Sequence, residues 1–140
     1  MNYAELRSIA EKFGGPLYVY DAEKIKFQYD RLSNAFSGVK NLKLNYATKA
    51  LSNVSVLTYI QNLGAGLDTV SIQEVRLGLA AGFAPSSIIY TPNGVSLSEI
   101  EEVAHLGVQI NIDNLSILEQ FGSKYPSIPV CIRINPHVMA

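Results

Sequence analysis

Strand-like apolar runs begin about every 22 residues along this chain, each followed by a helical pattern, and this β-α period limits the possible folds more than any other feature. The runs fall at residues 42–49, 66–71, 88–93, 108–113 and 129–135. Between them Leu57, Ile60 and Leu63 share one helical face, as do Ile72, Val75 and Leu79. Leu97, Ile100, Val103 and Ala104 form a third stripe, and Leu115, Leu118 and Phe121 a fourth. Each pattern stops near a glycine (Gly64, Gly82, Gly107 and Gly122), the residue that most readily turns left-handed past a helix end. Ser71-x-x-Glu74 and Ser96-x-x-Glu99 read as capping boxes, and Asp113 or Asn114 is placed to cap the fourth helix.

Strands separated by helices of this length pair in parallel through right-handed crossovers. Two architectures satisfy that pattern, an open doubly wound sheet and a (β/α)8 barrel. The strand faces separate them. Val108, Ile110 and Ile112 alternate with Gln109, Asn111 and Asp113, and Val130, Ile132 and Ile134 alternate with Cys131, Arg133 and Asn135. A doubly wound sheet buries both faces and reads apolar throughout, whereas one apolar and one polar face suit a barrel with helices outside and a site within. The expected fold class is therefore α/β, a partial (β/α)8 TIM-type barrel with about five parallel strands. Residues 1–37 read as an N-terminal helix, a strand-like lead-in and a second helix, and residues 38–140 as the first five strands and four helices of the barrel. Because such a barrel needs eight strands, the 140 residues are expected to be the first part of a longer protein. A smaller α/β domain complete at this length is the alternative.

Composition narrows the function. Hydrophobic residues make up 48% and charged residues 16%, with a net charge of −1, so the chain reads as globular, without a basic footprint for nucleic acid or membrane. No apolar run is long enough to span a bilayer. Glu5, Arg7, Glu11 and Lys12 interrupt the start of the chain in a way that a secretory leader does not tolerate. Cys131 is the only cysteine, which excludes an internal disulfide and suits a reducing, cytoplasmic setting. With two histidines far apart and no CxxC motif, no metal site is expected.

On the barrel reading, strand one turns Leu44 and Tyr46 outward and Asn45, Ala47 and Lys49 inward. Lys49, Asp68, Asn93, Asp113, Arg133 and Asn135 then gather at the C-terminal strand ends, where such barrels carry their chemistry. A lysine desolvated in a barrel mouth acts as an amine nucleophile toward a carbonyl, but it can equally extend past the strand end to pair with a carboxylate. Asp68 can serve a site or cap a helix, and Glu74 completes a capping box with Ser71. An inward Arg133 needs an anion, either a phosphate, carboxylate or phenolate ligand or Asp113 or Asp68. Cys131 reads as a small core residue, His105 as a favourable last-turn residue, and His137 as a loop residue able to contact a ligand. Gly64-Ala65-Gly66 lies on the wrong side of the sheet for a phosphate loop.

These residues carry a resemblance. "NYATKALSN" is similar to the YAxKA-type lysine motif of the fold-type III pyridoxal-phosphate decarboxylases, whose barrel is alanine-racemase-like. "GAGLDTVSIQEVRLGLAAGF" resembles the G-x-D-x-x-S-x-x-E segment that follows it there. "IIYTPNGVSLSEI", "GVQINIDNLSILEQF" and "PVCIRINPHVMA" continue in the family's order, after an opening "GGPLYVYD" of the family's kind. The likeness is strongest to the diaminopimelate decarboxylase branch. Leu51, Ile72-Gln73 and Gly94-Val95 depart from the usual pattern, which loosens the substrate more than the cofactor.

The resemblance implies pyridoxal 5'-phosphate as cofactor, held covalently by Lys49, with Ala47, Asp68 and Arg133 around it and Glu74 behind them. It implies decarboxylation of meso-diaminopimelate to L-lysine and CO2 in lysine biosynthesis, by a cytoplasmic homodimer acting on a small amino acid. It also places the family's glycine-rich phosphate loop, the acidic partner of the pyridine nitrogen and a C-terminal β-domain after Ala140. The 140 residues alone are thus expected to be inactive. An ornithine, arginine or carboxynorspermidine decarboxylase is the alternative within this chemistry. A non-catalytic pyridoxal-phosphate-binding barrel, or an inert self-associating fragment, is the alternative outside it.

Overall fold

The computed structural model describes residues 1–134 and 136; Asn135 and His137 lie outside the described residues. The chain divides into two compact units, Met1–Leu42 and Lys43–Ala140. The first holds helices α1 (Tyr3–Phe13) and α2 (Ala22–Ala35). Asn2 and Glu5 form a complete capping box at the start of α1, and Asp21 accepts from the Lys24 amide to cap α2. Neither helix buries a residue.

The second unit alternates strand and helix: β1 (Asn45–Ala47), α3 (Val54–Asn62), β2 (Gly66–Thr69), α4 (Ile72–Ala80), β3 (Ile88–Tyr90), α5 (Leu97–His105), β4 (Gln109–Ile112), α6 (Leu115–Lys124) and β5 (Val130–Ile132). Among the described residues the five strands form one sheet in the order β1-β2-β3-β4-β5, every neighbouring pair parallel. Spatial order equals chain order, so no connection reverses direction. A doubly wound sheet needs such a reversal at its switch point; a barrel does not. The fold is a partial (β/α)8 barrel.

The expected apolar face is the helix-covered one. Leu67, Ile88, Tyr90, Ile110 and Ile112 of the strands are buried, together with Leu57, Val75, Ile100, Val103 and Phe121 of the helices. Helix α4 comes so near the sheet at Gly78 that a Cβ there would sit 2.5 Å from Leu67 Cδ2. The polar residues of the opposite face, Asp68 and Asn111, are half-buried, and Gln109 is exposed.

Several details differ from the sequence reading. The strands are shorter than the runs that announced them, and Ser71, the last residue of the second run, caps the next helix instead of pairing. Ser71, Ser96 and Asn114 each accept from a backbone N–H of the next helix. Gly64, Gly82 and Gly107 do take positive φ, at 93°, 97° and 74°, but Gly122 lies inside α6. There the helix continues because buried Phe121 and Tyr125 pack with ring centroids 5.0 Å apart, which outweighs the glycine's weak propensity. Leu115, assigned to the buried stripe, is 75% exposed at the first turn of α6. Cys131 is exposed rather than core; it faces the polar side, where its Sγ accepts from Gln109 Nε2 at 3.3 Å.

Candidate functional site

Strand β1 ends at Ala47, and the chain tightens into a 3-10 turn, Thr48–Ala50, closed by Leu51 N donating to Thr48 O at 3.1 Å. Lys49 therefore sits in a turn at the C-terminal end of the strand, not within it. Its side chain is exposed, and the fully buried position of the turn belongs to Thr48. Lys49 makes no hydrogen bond or ion pair among the described residues, and the structural alternative, a lysine tied to a carboxylate, is not what the turn builds.

Asp68 lies beside this turn, on β2 in register with Ala47. Its Oδ1 accepts from Thr91 Oγ1 at 3.0 Å, and Thr91 Oγ1 in turn accepts from Asn111 Nδ2 at 2.9 Å. Three neighbouring strands are thus linked across the polar face by side chains alone. Asp68 is no helix cap, since Ser71 takes that role for α4. Thr91 had no signal of its own in the sequence; the alternation in the neighbouring strands, carried one residue past Tyr90, would have found it.

The two predicted capping boxes are only half formed. Ser71 and Ser96 accept from Glu74 N and Glu99 N, both at 3.3 Å. Glu74 does not return the bond to Ser71; its Oε2 accepts from Val70 N at 2.8 Å and steadies the turn after Asp68. Glu99 reaches further, accepting from Tyr90 Oη at 2.6 Å and from Ile72 N at 3.1 Å. One carboxylate from α5 therefore joins β3 to the first turn of α4. Burial, and then the hydrogen bond and charge of Glu99, raise the Tyr90 hydroxyl far above its ordinary pKa of 10.0.

Arg133 lies just past β5, where its N–H donates to Ile112 O at 2.8 Å. Its guanidinium pairs with neither Asp113 nor Asp68 among the described residues. The sheet order puts it at the edge opposite Lys49. Asn93 and Asp113 line a cleft of about 210 Å³ with Gly94, Asn114, Ile100 and Ile117, and neither Lys49 nor Asp68 borders it. His105, at the end of α5, donates from Nδ1 to Glu101 O at 2.6 Å. Among the described residues no group of three or more His, Cys, Asp or Glu is placed to hold a metal. No described helix is long and apolar enough to cross a membrane.

The polar face thus offers a free amine, an unpaired guanidinium and a braced carboxylate. Two buried side-chain oxygens, Thr48 Oγ1 and Asn111 Oδ1, have no hydrogen-bond partner among the described residues. Unsatisfied buried oxygens are costly unless something supplies a donor. The family model for the pyridoxal-dependent decarboxylase, pyridoxal binding domain, matches residues 22–140. The chain belongs to that family. This pyridoxal-binding domain is 37% identical over 139 residues to a diaminopimelate decarboxylase of Methanothermobacter thermautotrophicus, covering 98% of the chain and 32% of that protein. It is 37% identical over 144 residues to one from Helicobacter pylori, covering 99% and 35%. Among solved structures, diaminopimelate decarboxylase from Helicobacter pylori complexed with L-lysine matches with a TM-score of 0.83 at 34% identity, over 98% of this chain and 35% of that one. Lysine/ornithine decarboxylase from Vibrio vulnificus complexed with putrescine matches with a TM-score of 0.83 at 28% identity, over 94% and 36%. The chain spans about a third of the length of the curated relatives it matches.

Proposed function

We propose that this chain is the cofactor-binding N-terminal part of a pyridoxal-phosphate-dependent decarboxylase that converts meso-diaminopimelate to L-lysine and CO2. The observation that carries the reading is Lys49: an unpaired amine in a turn at the C-terminal end of β1, beside Asp68, in a chain of the pyridoxal-binding family. The exposed Arg133, without an ion-pair partner among the described residues, suits an anionic ligand such as pyridoxal phosphate.

In this reading Lys49 holds the cofactor through Nζ, Ala47 lines the same strand end without obstructing it, and Asp68 and Arg133 supply charge around it. Glu74 acts one step back, by fixing the Val70 amide behind Asp68. Bound pyridoxal phosphate supplies an electron sink for the pair left at Cα when the α-carboxylate departs as CO2. A proton then replaces the carboxylate at Cα, and Lys49, freed of the cofactor during turnover, is a group able to carry it. Relatives at 37% identity support the substrate. An ornithine-type substrate is the second reading, favoured by the equal TM-score of the putrescine-bound lysine/ornithine decarboxylase. A cytoplasmic homodimer is proposed with the activity, and the 140 residues by themselves are expected to lack turnover.

The test is borohydride reduction of the full-length protein with pyridoxal phosphate, followed by peptide mapping, with CO2 release measured from meso-diaminopimelate and from ornithine. Label on Lys49 and preference for diaminopimelate are expected. Label on another lysine, or none, sinks the cofactor assignment; preference for ornithine transfers the substrate to the second reading.

A further inference from the structure

Asp68 is braced from one direction only. The bond from Thr91 reaches Oδ1, and Oδ2 has no hydrogen bond among the described residues. Behind Thr91 stands Asn111, whose amide nitrogen can only donate. Thr91 Oγ1 must therefore accept from Asn111, which leaves its single proton for Asp68. The opposite amide orientation would set two acceptors, Asn111 Oδ1 and Asp68 Oδ1, competing for that one proton. With the amide as it stands, the chain runs from amide to hydroxyl to carboxylate, each link polarising the next.

We propose that Thr91 and Asn111 are positioning residues for the Asp68 carboxylate, anchoring one oxygen so that the other is presented to the ligand of the polar face. The proposal rests on reading Asp68 as part of the pyridoxal-phosphate site. Both supports stand on the rigid ladder. Thr91 N donates to Thr69 O at 2.7 Å, one residue past Asp68, and Asn111 lies within β4 in register with Cys131. A carboxylate held from neighbouring strands takes its orientation from the sheet rather than from its own rotamer freedom. Neither Thr91 nor Asn111 touches Lys49 through a hydrogen bond among the described residues, so each acts through Asp68.

The experiment compares Thr91→Val, Thr91→Ser and Asn111→Leu in the full-length protein. It reads the dissociation constant of pyridoxal phosphate from the absorbance of the bound cofactor, and the Asp68 carboxylate orientation from crystal structures without cofactor. Valine keeps the shape and removes the hydroxyl; a loss of about tenfold in cofactor affinity is expected, with serine restoring it to within about twofold. Asn111→Leu should weaken binding in the same direction by a smaller factor, and it carries the test if Thr91→Val does not fold. In the cofactor-free Thr91→Val structure the Asp68 carboxylate should rotate away from its wild-type position. Wild-type affinity in both Thr91→Val and Asn111→Leu, a serine variant as weak as valine, or an unmoved Asp68 would overturn the proposal. If the wild-type protein takes up no pyridoxal phosphate, the functional reading fails, while the cofactor-free structures still decide whether the chain orients Asp68.

Discussion

The Tyr90 hydroxyl donates to the Glu99 carboxylate at 2.6 Å, and the same carboxylate oxygen accepts from the first helical amide of α4, that of Ile72, at 3.1 Å. A side chain that local sequence assigns to capping its own helix has been drawn into tying β3 to the helix after β2. The two ends of the link are unequal: Tyr90 is fully buried, and its proton is held by both the apolar surroundings and the carboxylate.

Tyr90→Phe should cost about 1–3 kcal/mol, because Glu99 loses a donor in a site where water cannot readily replace it. The sign of the pH effect follows from the raised tyrosine pKa. The unfolded chain ionises Tyr90 near 10.0 and the folded chain well above it, so the stability it contributes is complete below that value and is lost as pH rises beyond it. Thermal melts from neutral to alkaline pH should therefore bring wild type and Tyr90→Phe closer together above pH 10.0. A constant gap would mean that Tyr90 ionises alike in both states.

Gly78→Ala should destabilise despite alanine's better helix propensity. The added methyl would meet Leu67 Cδ2 and Ile88 Cδ1 in a fully buried contact, and overpacking of this kind costs about 1–3 kcal/mol, against a propensity gain of about 1. Urea titration measures the difference. A more stable variant would show that α4 can back away from the sheet.

The ion pair between Arg76 of α4 and Glu102 of α5 joins neighbouring helices but is more than half exposed. Arg76→Ala should cost no more than about 1 kcal/mol, and the cost should shrink as salt is added. A larger, salt-insensitive loss would mean that the arginine stem packs and the charge is incidental.

Arg133→Met in the full-length protein tests the proposed anion site. The exposed guanidinium has no ion-pair partner to lose among the described residues, so Tm should move little while kcat/KM falls by about 10- to 100-fold. Unchanged kinetics would remove Arg133 from the site.

How much of this was readable beforehand depended on the range of the interactions. The β-α period, the helix stripes and three glycine stops were legible because each is decided within a few residues. Gly122 misled because its effect is overridden by Phe121 and Tyr125, whose rings pack across it. Strand lengths misled because an alternating pattern does not mark where pairing stops, as at Ser71, which closes the second run but caps α4. Lys49 was located by its motif, but its turn and its exposure were not, since the 3-10 bond from Leu51 to Thr48 has no counterpart in hydrophobic periodicity. Asn111 was legible on the polar face, but its link through Thr91 to Asp68 was not, because these partners lie on adjacent strands and only the register brings them within a hydrogen bond.

The sheet order carries one more consequence, for synthesis. Because β1 through β5 lie side by side in the order they are translated, each strand after the first leaves the ribosome with a finished neighbour already waiting. Among these five strands each finds its first partner in its neighbour along the chain, so the nascent chain can lengthen its sheet one β-α unit at a time. Protease protection of stalled nascent chains should accordingly rise in steps, one for each unit that clears the exit tunnel.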